Sequence, residues 1–172
     1  MKLPSSLSRL LYAGIFSFFL GTSLPAQTNV PPASTTNAPP ITGEQDKDTG
    51  KPIITTPSGL KYVDLVIGTG PVVKPGDLVV VKYTGTLEDG TQFDTSTDRT
   101  GGTYSYIQNV TSQLTGWTEG TSTMKVGGKR KLIIPPLLGF GQRGQGDVIP
   151  PNSTLIYEIE IISATPKQLP HA

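Results

Sequence analysis

The sequence predicts an α+β domain, an antiparallel β-sheet with one short helix on its packed face, on three observations. Runs rich in Val, Ile, Leu and Tyr recur between Gly- and Pro-bearing turns, as strands do. The last of them, "TLIYEIEII", places Leu155, Tyr157, Ile159 and Ile161 on one face and Glu158 and Glu160 on the other. That alternation suits an antiparallel sheet with one packed and one wet face. Only "LTGWTEGTSTMKVG" carries helical spacing, through Leu114, Trp117 and Met124, so the sheet holds a single helix.

Taken in order, "LKYVDLVIGTG" and "DLVVVKYTG" are strands bounded by Gly and Pro. "EDG" has the Asp-Gly chemistry of a tight turn that joins two strands, with Tyr83 and Phe93 on either side of it. "TYSYI" and "KRKLIIP" are further strands. The helix is weak by propensity, because Gly116, Gly120 and several threonines disfavour it, so it must be held by packing of Trp117 on the sheet. Gly127 can supply its stop.

Before these elements the chain changes character. Lys2 and Arg9 precede the apolar run "LLYAGIFSFFL", and small residues follow near Ala26, the pattern of a secretory signal peptide over residues 1–26. The run is too short for the roughly 20 residues that span a bilayer, which favours cleavage over an anchor. Residues 27–55, rich in Pro, Thr, Asn and Gly, bury too little apolar surface to offset chain entropy and read as a flexible tether. The domain is then expected over residues 56–166, with a tail at 167–172, and the protein is expected in an export compartment, periplasmic or secreted.

Composition removes whole classes of chemistry. There is no cysteine, and the sole histidine, His171, lies beside the C-terminus, where chains fray. Thiol chemistry, disulfides, a His-centred triad and a Cys- or His-based metal site are thereby excluded. The net charge of +1 supplies no field for nucleic acid or a membrane surface. The acids Asp77, Glu88, Asp89, Asp94 and Asp98 lack calcium-loop spacing, and turn positions make solvated acids the default reading. Lys129, Arg130 and Lys131 read as an edge or solvent face. "GFGQRG" matches a dinucleotide fingerprint, but "PP" before it and "QGDVIPPN" after it leave no helix to hold a pyrophosphate.

More informative is the apolar inventory. Tyr83, Phe93, Tyr104, Trp117, Phe140, Val148, Ile149 and Tyr157 include several aromatics at turns and loop edges, and "DVIPP" leads apolar residues into a rigid double proline. With "SGLKYVDLVIGTG", "GDLVVVKYTGTLEDGTQFDTS", "GWTEG", "MKVGGKRKLIIPP" and "VIPPNSTLIYEIEII" in this order, residues 56–164 resemble the FKBP-type peptidyl-prolyl cis-trans isomerases. The resemblance implies a twisted antiparallel sheet wrapped around one short helix, and an apolar pocket for a proline ring. It implies Trp117 as the pocket floor, with walls from Tyr83, Phe93, Leu114, Phe140, Val148, Ile149 and Tyr157.

Asp94, Arg99, Tyr104 and Gln113 match further family site positions, and Tyr83, Phe93, Asp94 and Trp117 would carry the reaction. Asp94 is read as a fixed acceptor bonded to Tyr83 or Arg99 rather than a proton shuttle. Three positions depart from the family pattern, one of them Gln145, where a loop histidine is frequent in eukaryotic members. Phe140 stands where a tyrosine is common, removing a donor hydroxyl, and Gln113 stands where a small aliphatic residue is usual. The resemblance further implies a monomer without cofactor or metal, acting on proline-containing polypeptides and accepting macrolide ligands. The alternative is a binding module that uses the same pocket to hold a proline segment or partner without turnover.

Overall fold

The computed structural model describes residues 41–111 and 113–167. The signal-peptide reading, the tether to residue 40 and most of the expected tail lie outside them. Eight strands form one sheet: β1 (Ile41–Gln45), β2 (Pro52–Thr55), β3 (Lys61–Val66), β4 (Asp77–Leu87), β5 (Gln92–Thr95), β6 (Tyr104–Ile107), β7 (Lys129–Ile134) and β8 (Leu155–Pro166). The helix α1 spans Thr115–Ser122. The order is β1-β2-β3-β7-β8-β4-β5, with β6 also on β4, and every pairing is antiparallel.

β4 organises the sheet. It pairs with β8 along its whole length, while its first half pairs with β6 and its second with β5. Its odd-numbered residues, Val79, Val81 and Tyr83 among them, are buried, and Leu155, Tyr157, Ile159 and Ile161 of β8 join them in one core. The alternation in "TLIYEIEII" therefore has the face assignment that the sequence predicts.

α1 is shorter than the predicted stretch, and Met124 lies beyond it. The backbone after Ser122 bonds elsewhere: Val73 donates to the Met124 carbonyl at 3.0 Å, and Val126 donates to Pro71 at 3.0 Å. The two glycines that weaken the helix have a packing reason. A Cβ on Gly116 would stand 2.6 Å from Ile134, and one on Gly120 would stand 2.5 Å from Leu132. Helix and β7 thus meet closer than any side chain would permit.

Three expectations are corrected. Residues 41–55 are not all tether, since β1 and β2 form a hairpin added to the edge of β3. This hairpin is held by backbone pairing, by charge, and by Ile53 and Ile54 of β2 against the core, partners that its overall polar composition does not reveal. The Lys129–Lys131 run is no solvent face, because β7 lies between β3 and β8. Arg130 bonds Asp64 at 2.7 Å, Thr123 Oγ1 at 2.7 Å and the Gly120 carbonyl at 2.8 Å, and lies over Tyr62. Lys131 reaches Asp46 at 2.8 Å and Asp48 at 2.6 Å. Asp77 is also buried rather than solvated, accepting from the Lys74 N–H at 2.8 Å.

Burial acts against the charge on Asp46, but hydrogen bonds from Lys131 and Thr49 outweigh it and hold the carboxyl below its ordinary value of 3.8. Burial likewise opposes the charge on Lys131, and the two aspartates carry it above 10.5. The lowered acid contributes stability above 3.8 that is lost as pH falls through its folded value. The raised base contributes stability below 10.5 that is lost as pH rises through its folded value. Lys131→Met leaves Asp46 a buried, uncompensated carboxylate, and urea unfolding at pH 7 should show a loss of about 3–5 kcal/mol. The deficit should shrink below pH 4, and replacing Asp46 by Leu in the same chain should recover most of it.

Candidate functional site

The site begins at the turn joining β4 to β5, closed by Leu87 N–H to the Thr91 carbonyl at 2.9 Å and Gly90 N–H to the Leu87 carbonyl at 3.0 Å. It brings Tyr83 beside Phe93 and Asp94. Gly85 stands in register with Asp94 on one side and Tyr157 on the other. A Cβ there would lie 2.7 Å from the Tyr157 ring and 2.9 Å from the Phe93 ring. The bare backbone lets those rings meet edge to face at 5.4 Å. Gly85 was missed as a site residue; a glycine inside a strand pattern was the available signal.

Trp117, from the first turn of α1, is 3% exposed. Tyr83 and Tyr157 each meet its ring edge to face at 5.1 Å, and Tyr106 does so at 6.0 Å. Such geometries add about 0.5–1.5 kcal/mol per pair beyond area burial. Its indole N–H and the Tyr106 hydroxyl are buried without a hydrogen-bond partner among the described residues.

The polar part of the site is closed on itself. The Tyr83 hydroxyl donates to Asp94 Oδ2 at 2.7 Å and accepts from Arg99 Nη2 at 2.8 Å and Nε at 3.2 Å. Arg99 Nη2 lies 3.6 Å from Asp94 Oδ1 with both side chains partly exposed, so solvent screens that pair. Burial first, and then the bond to Asp94, push the Tyr83 phenol up to about 12. Tyr83 is therefore neutral at physiological pH, and Asp94 has the acceptor geometry expected for it.

Between β5, the α1 start and the loop before β8 lies a cleft of about 660 Å³. Phe93, Leu114, Phe140, Ile149 and Tyr157 give it apolar walls, and Asp94, Gln113 and Gln145 add polar atoms. Val148 lines it at 54% exposure, a rim rather than a wall. Ile149 is fixed by reciprocal backbone bonds with Gln145 at 2.9 and 3.1 Å. Behind the cleft is a recess of about 90 Å³, and it is this recess that Tyr83, Arg99, Tyr104 and Trp117 line. All twelve residues singled out from the sequence are thus brought together around the cleft and the adjoining recess, and Asp94, Gln113, Leu114 and Tyr157 line both.

The "GFGQRG" loop forms a single 3-10 turn at Gly141–Arg143, not a phosphate-binding helix. Among the described residues no group of His, Cys, Asp and Glu is placed to hold a metal ion, and no helix is long and apolar enough to cross a membrane. A separate depression of about 300 Å³ lies on the other face of the sheet, where Lys82, Lys129, Glu158 and Glu160 give it mixed charge.

Comparison with known proteins places this geometry. The family model described as FKBP-type peptidyl-prolyl cis-trans isomerase matches residues 70–162. FK506-binding protein 4 of Dictyostelium discoideum is 45% identical over 120 residues, which is 70% of this chain and 32% of that protein. The FK506-binding protein of Neisseria meningitidis serogroup B is 46% identical over 104 residues, covering 60% of this chain and 94% of that one. The crystal structure of FkpA from Escherichia coli aligns with a TM-score of 0.61 at 43% identity, over 66% of this chain and 52% of that chain. The chain therefore spans a third to a half of two of these relatives and nearly all of the third.

Two measurements check the site geometry. Gly85→Ala must displace the Phe93 or Tyr157 ring, so unfolding should show a loss of about 1–3 kcal/mol from overpacking. Tyr83→Phe removes a hydrogen bond worth about 1 kcal/mol at neutral pH. The raised phenol favours folding below its ordinary value of 10.0, and this is lost as pH rises towards 12. The advantage of wild type over Tyr83→Phe should therefore hold to pH 10 in denaturant titrations and shrink above it.

Proposed function

Because this chain belongs to the FKBP-type peptidyl-prolyl cis-trans isomerase family, we propose that it accelerates rotation about X-Pro bonds of polypeptides, using the apolar cleft and no covalent intermediate. The observation that carries this reading is the pairing of an apolar cleft with a polar cluster already hydrogen-bonded within itself. Such a site offers shape and a fixed field, but no nucleophile beside a base.

Amide rotation faces a barrier of about 18–20 kcal/mol because resonance must be broken. The twisted amide is less dipolar than the planar one, so an apolar cavity disfavours it less. Catalysis then needs only better binding of the twisted form. A thousandfold acceleration requires about 4 kcal/mol, at about 1.36 kcal/mol for each tenfold. In this account Phe93, Tyr157 and Ile149 hold the proline ring, Trp117 floors the site, and Asp94 is an acceptor fixed by Tyr83. Tyr104, Leu114, Phe140 and Val148 complete the enclosure, and Arg99 holds the Tyr83 hydroxyl.

The apolar leader at residues 10–20 supports action on exported chains, where X-Pro isomerisation over tens to hundreds of seconds limits folding. The same cleft would accept macrolide ligands of the family, and the domain would act as a monomer without a cofactor. Phe140 favours one second reading, a module that binds proline segments without turnover, since it brings a wall to the cleft but no hydroxyl.

Proline-limited refolding and a protease-coupled peptide assay on the full chain test the proposal. Trp117→Ala and Phe93→Ala should each lower kcat/KM at least about tenfold, which corresponds to about 1.4 kcal/mol of transition-state binding. Asp94→Asn should lower it less than either. Loss of all activity in Asp94→Asn alone would reject the desolvation account, and peptide binding without acceleration in the wild type would establish the binding module.

A further inference from the structure

Asp94, Gln113, Leu114 and Tyr157 line both the cleft and the recess, a wall common to the two. They are not equally fixed. Asp94 is held by the Tyr83 hydroxyl at 2.7 Å. Tyr157 is 5% exposed and wedged between Phe93 and Trp117. Leu114 is tied into the first turn of α1, its carbonyl accepting from Thr118 at 3.0 Å. Gln113 precedes the helix, and among the described residues its carboxamide is secured by one neutral hydrogen bond, Nε2 donating to the Tyr104 hydroxyl at 2.7 Å. A bond of that kind shifts an equilibrium by about fivefold.

Its partner is rigid by comparison. The Tyr104 ring stacks on Tyr106 at 5.9 Å, meets Tyr83 edge-on at 5.9 Å, and carries the Arg99 guanidinium 4.8 Å from its centroid. If the wall opens, Gln113 is the part that moves. Behind it the recess of about 90 Å³ holds the volume of about three waters and is lined by Trp117. It has room for a small ring, but not for the chain on either side of one.

We propose that Gln113 is a specificity-determining latch, releasing Tyr104 to join the cleft to the Trp117 recess when a proline segment enters. The identity of the entering ring rests on the isomerase reading above, whereas the latch rests on the Gln113–Tyr104 bond. Release parts a half-buried carboxamide from a half-buried hydroxyl beside a recess lined by Tyr83, Asp94 and Arg99, a cost that a bare apolar ring cannot offset. A ring flanked by peptide carbonyl and N–H groups can satisfy both. The latch thereby selects proline within a polypeptide over an apolar ring alone.

Trp117 is the only tryptophan of the chain and reports on the recess directly. Gln113→Leu and Tyr104→Phe break the bond from opposite sides while keeping bulk. In the full chain, acrylamide quenching of Trp117 should at least double in each variant, with no further rise in the double variant. A capped Ala-Leu-Pro-Phe peptide, titrated by Trp117 fluorescence, should bind Tyr104→Phe two- to fivefold more tightly, because release costs nothing and the carboxamide donor remains. It should bind Gln113→Leu two- to fivefold more weakly, because that donor is gone.

A static packing role would move both variants in the same direction. Quenching constants equal to wild type in both variants, or peptide affinities shifted the same way, overturn the latch. A wild-type chain that fails to accelerate isomerisation while its variants double in quenching would retain the latch and remove the isomerase reading.

Discussion

Helix α1 lies so near β7 that one methyl group on Gly116 or Gly120 would come within 2.6 Å of Ile134 or 2.5 Å of Leu132. The rest of the site depends on that approach. Trp117 sits between the two glycines, and only a helix at this height sets its ring at 5.1 Å from both Tyr83 and Tyr157. Each glycine costs about 1 kcal/mol of helix propensity relative to alanine, so the helix does not persist on its own account. It is held by the sheet. The fully buried Gln108 donates to the Thr118 carbonyl at 2.9 Å and accepts from Thr121 at 3.2 Å, and Arg130 donates to the Gly120 carbonyl near the last turn. A cation placed there also suits the negative end of the helix dipole.

The polar groups beside the cleft are arranged to satisfy each other before any ligand arrives. Tyr83 lies between Asp94 and Arg99, donating to one and accepting from the other. A carboxylate in such an arrangement is a fixed partial field, since moving it would break its bond from the Tyr83 hydroxyl, itself held by Arg99. The aromatic walls set that fixed field beside a cleft while Asp94 and Arg99 stay partly exposed, so its effect rests on preorganisation rather than on exclusion of water. This is a different solution from a general acid-base site, which needs a group free to gain and lose a proton near neutral pH. With its phenol up to about 12, Tyr83 is not such a group.

Much of this was legible in the sequence because the signals are local. Period-two alternation in β8, the Asp-Gly turn at Asp89–Gly90 and the order of the aromatic segments fix strands, faces and candidate site within short windows. What escaped involves partners that only folding brings together. Lys131 looks like a surface base until Asp46, 85 residues earlier, is placed beside it. Arg130 looks the same until Asp64, 66 residues away, accepts from it. Gly85 is unremarkable until Phe93 and Tyr157 are packed above it. The bond between Gln113 and Tyr104 is likewise a property of two side chains meeting, and no periodicity encodes it.

The same long-range charge sets where the domain starts. The family match begins at residue 70, and composition alone places the boundary near residue 56, yet β7 carries Lys131 with its side chain only 10% exposed. A cation in that position on an interior strand is costly unless a partner is supplied. Asp46 and Asp48 supply it, and they do so from the turn between β1 and β2. Asp46 is itself fixed by Thr49, whose N–H and hydroxyl reach its carboxylate at 3.0 and 2.7 Å. The hairpin is therefore part of the electrostatic balance of the matched region rather than a decoration of it. A domain cut at residue 56 would retain the buried lysine and lose both of its counter-charges, so the physical boundary lies at or before β1.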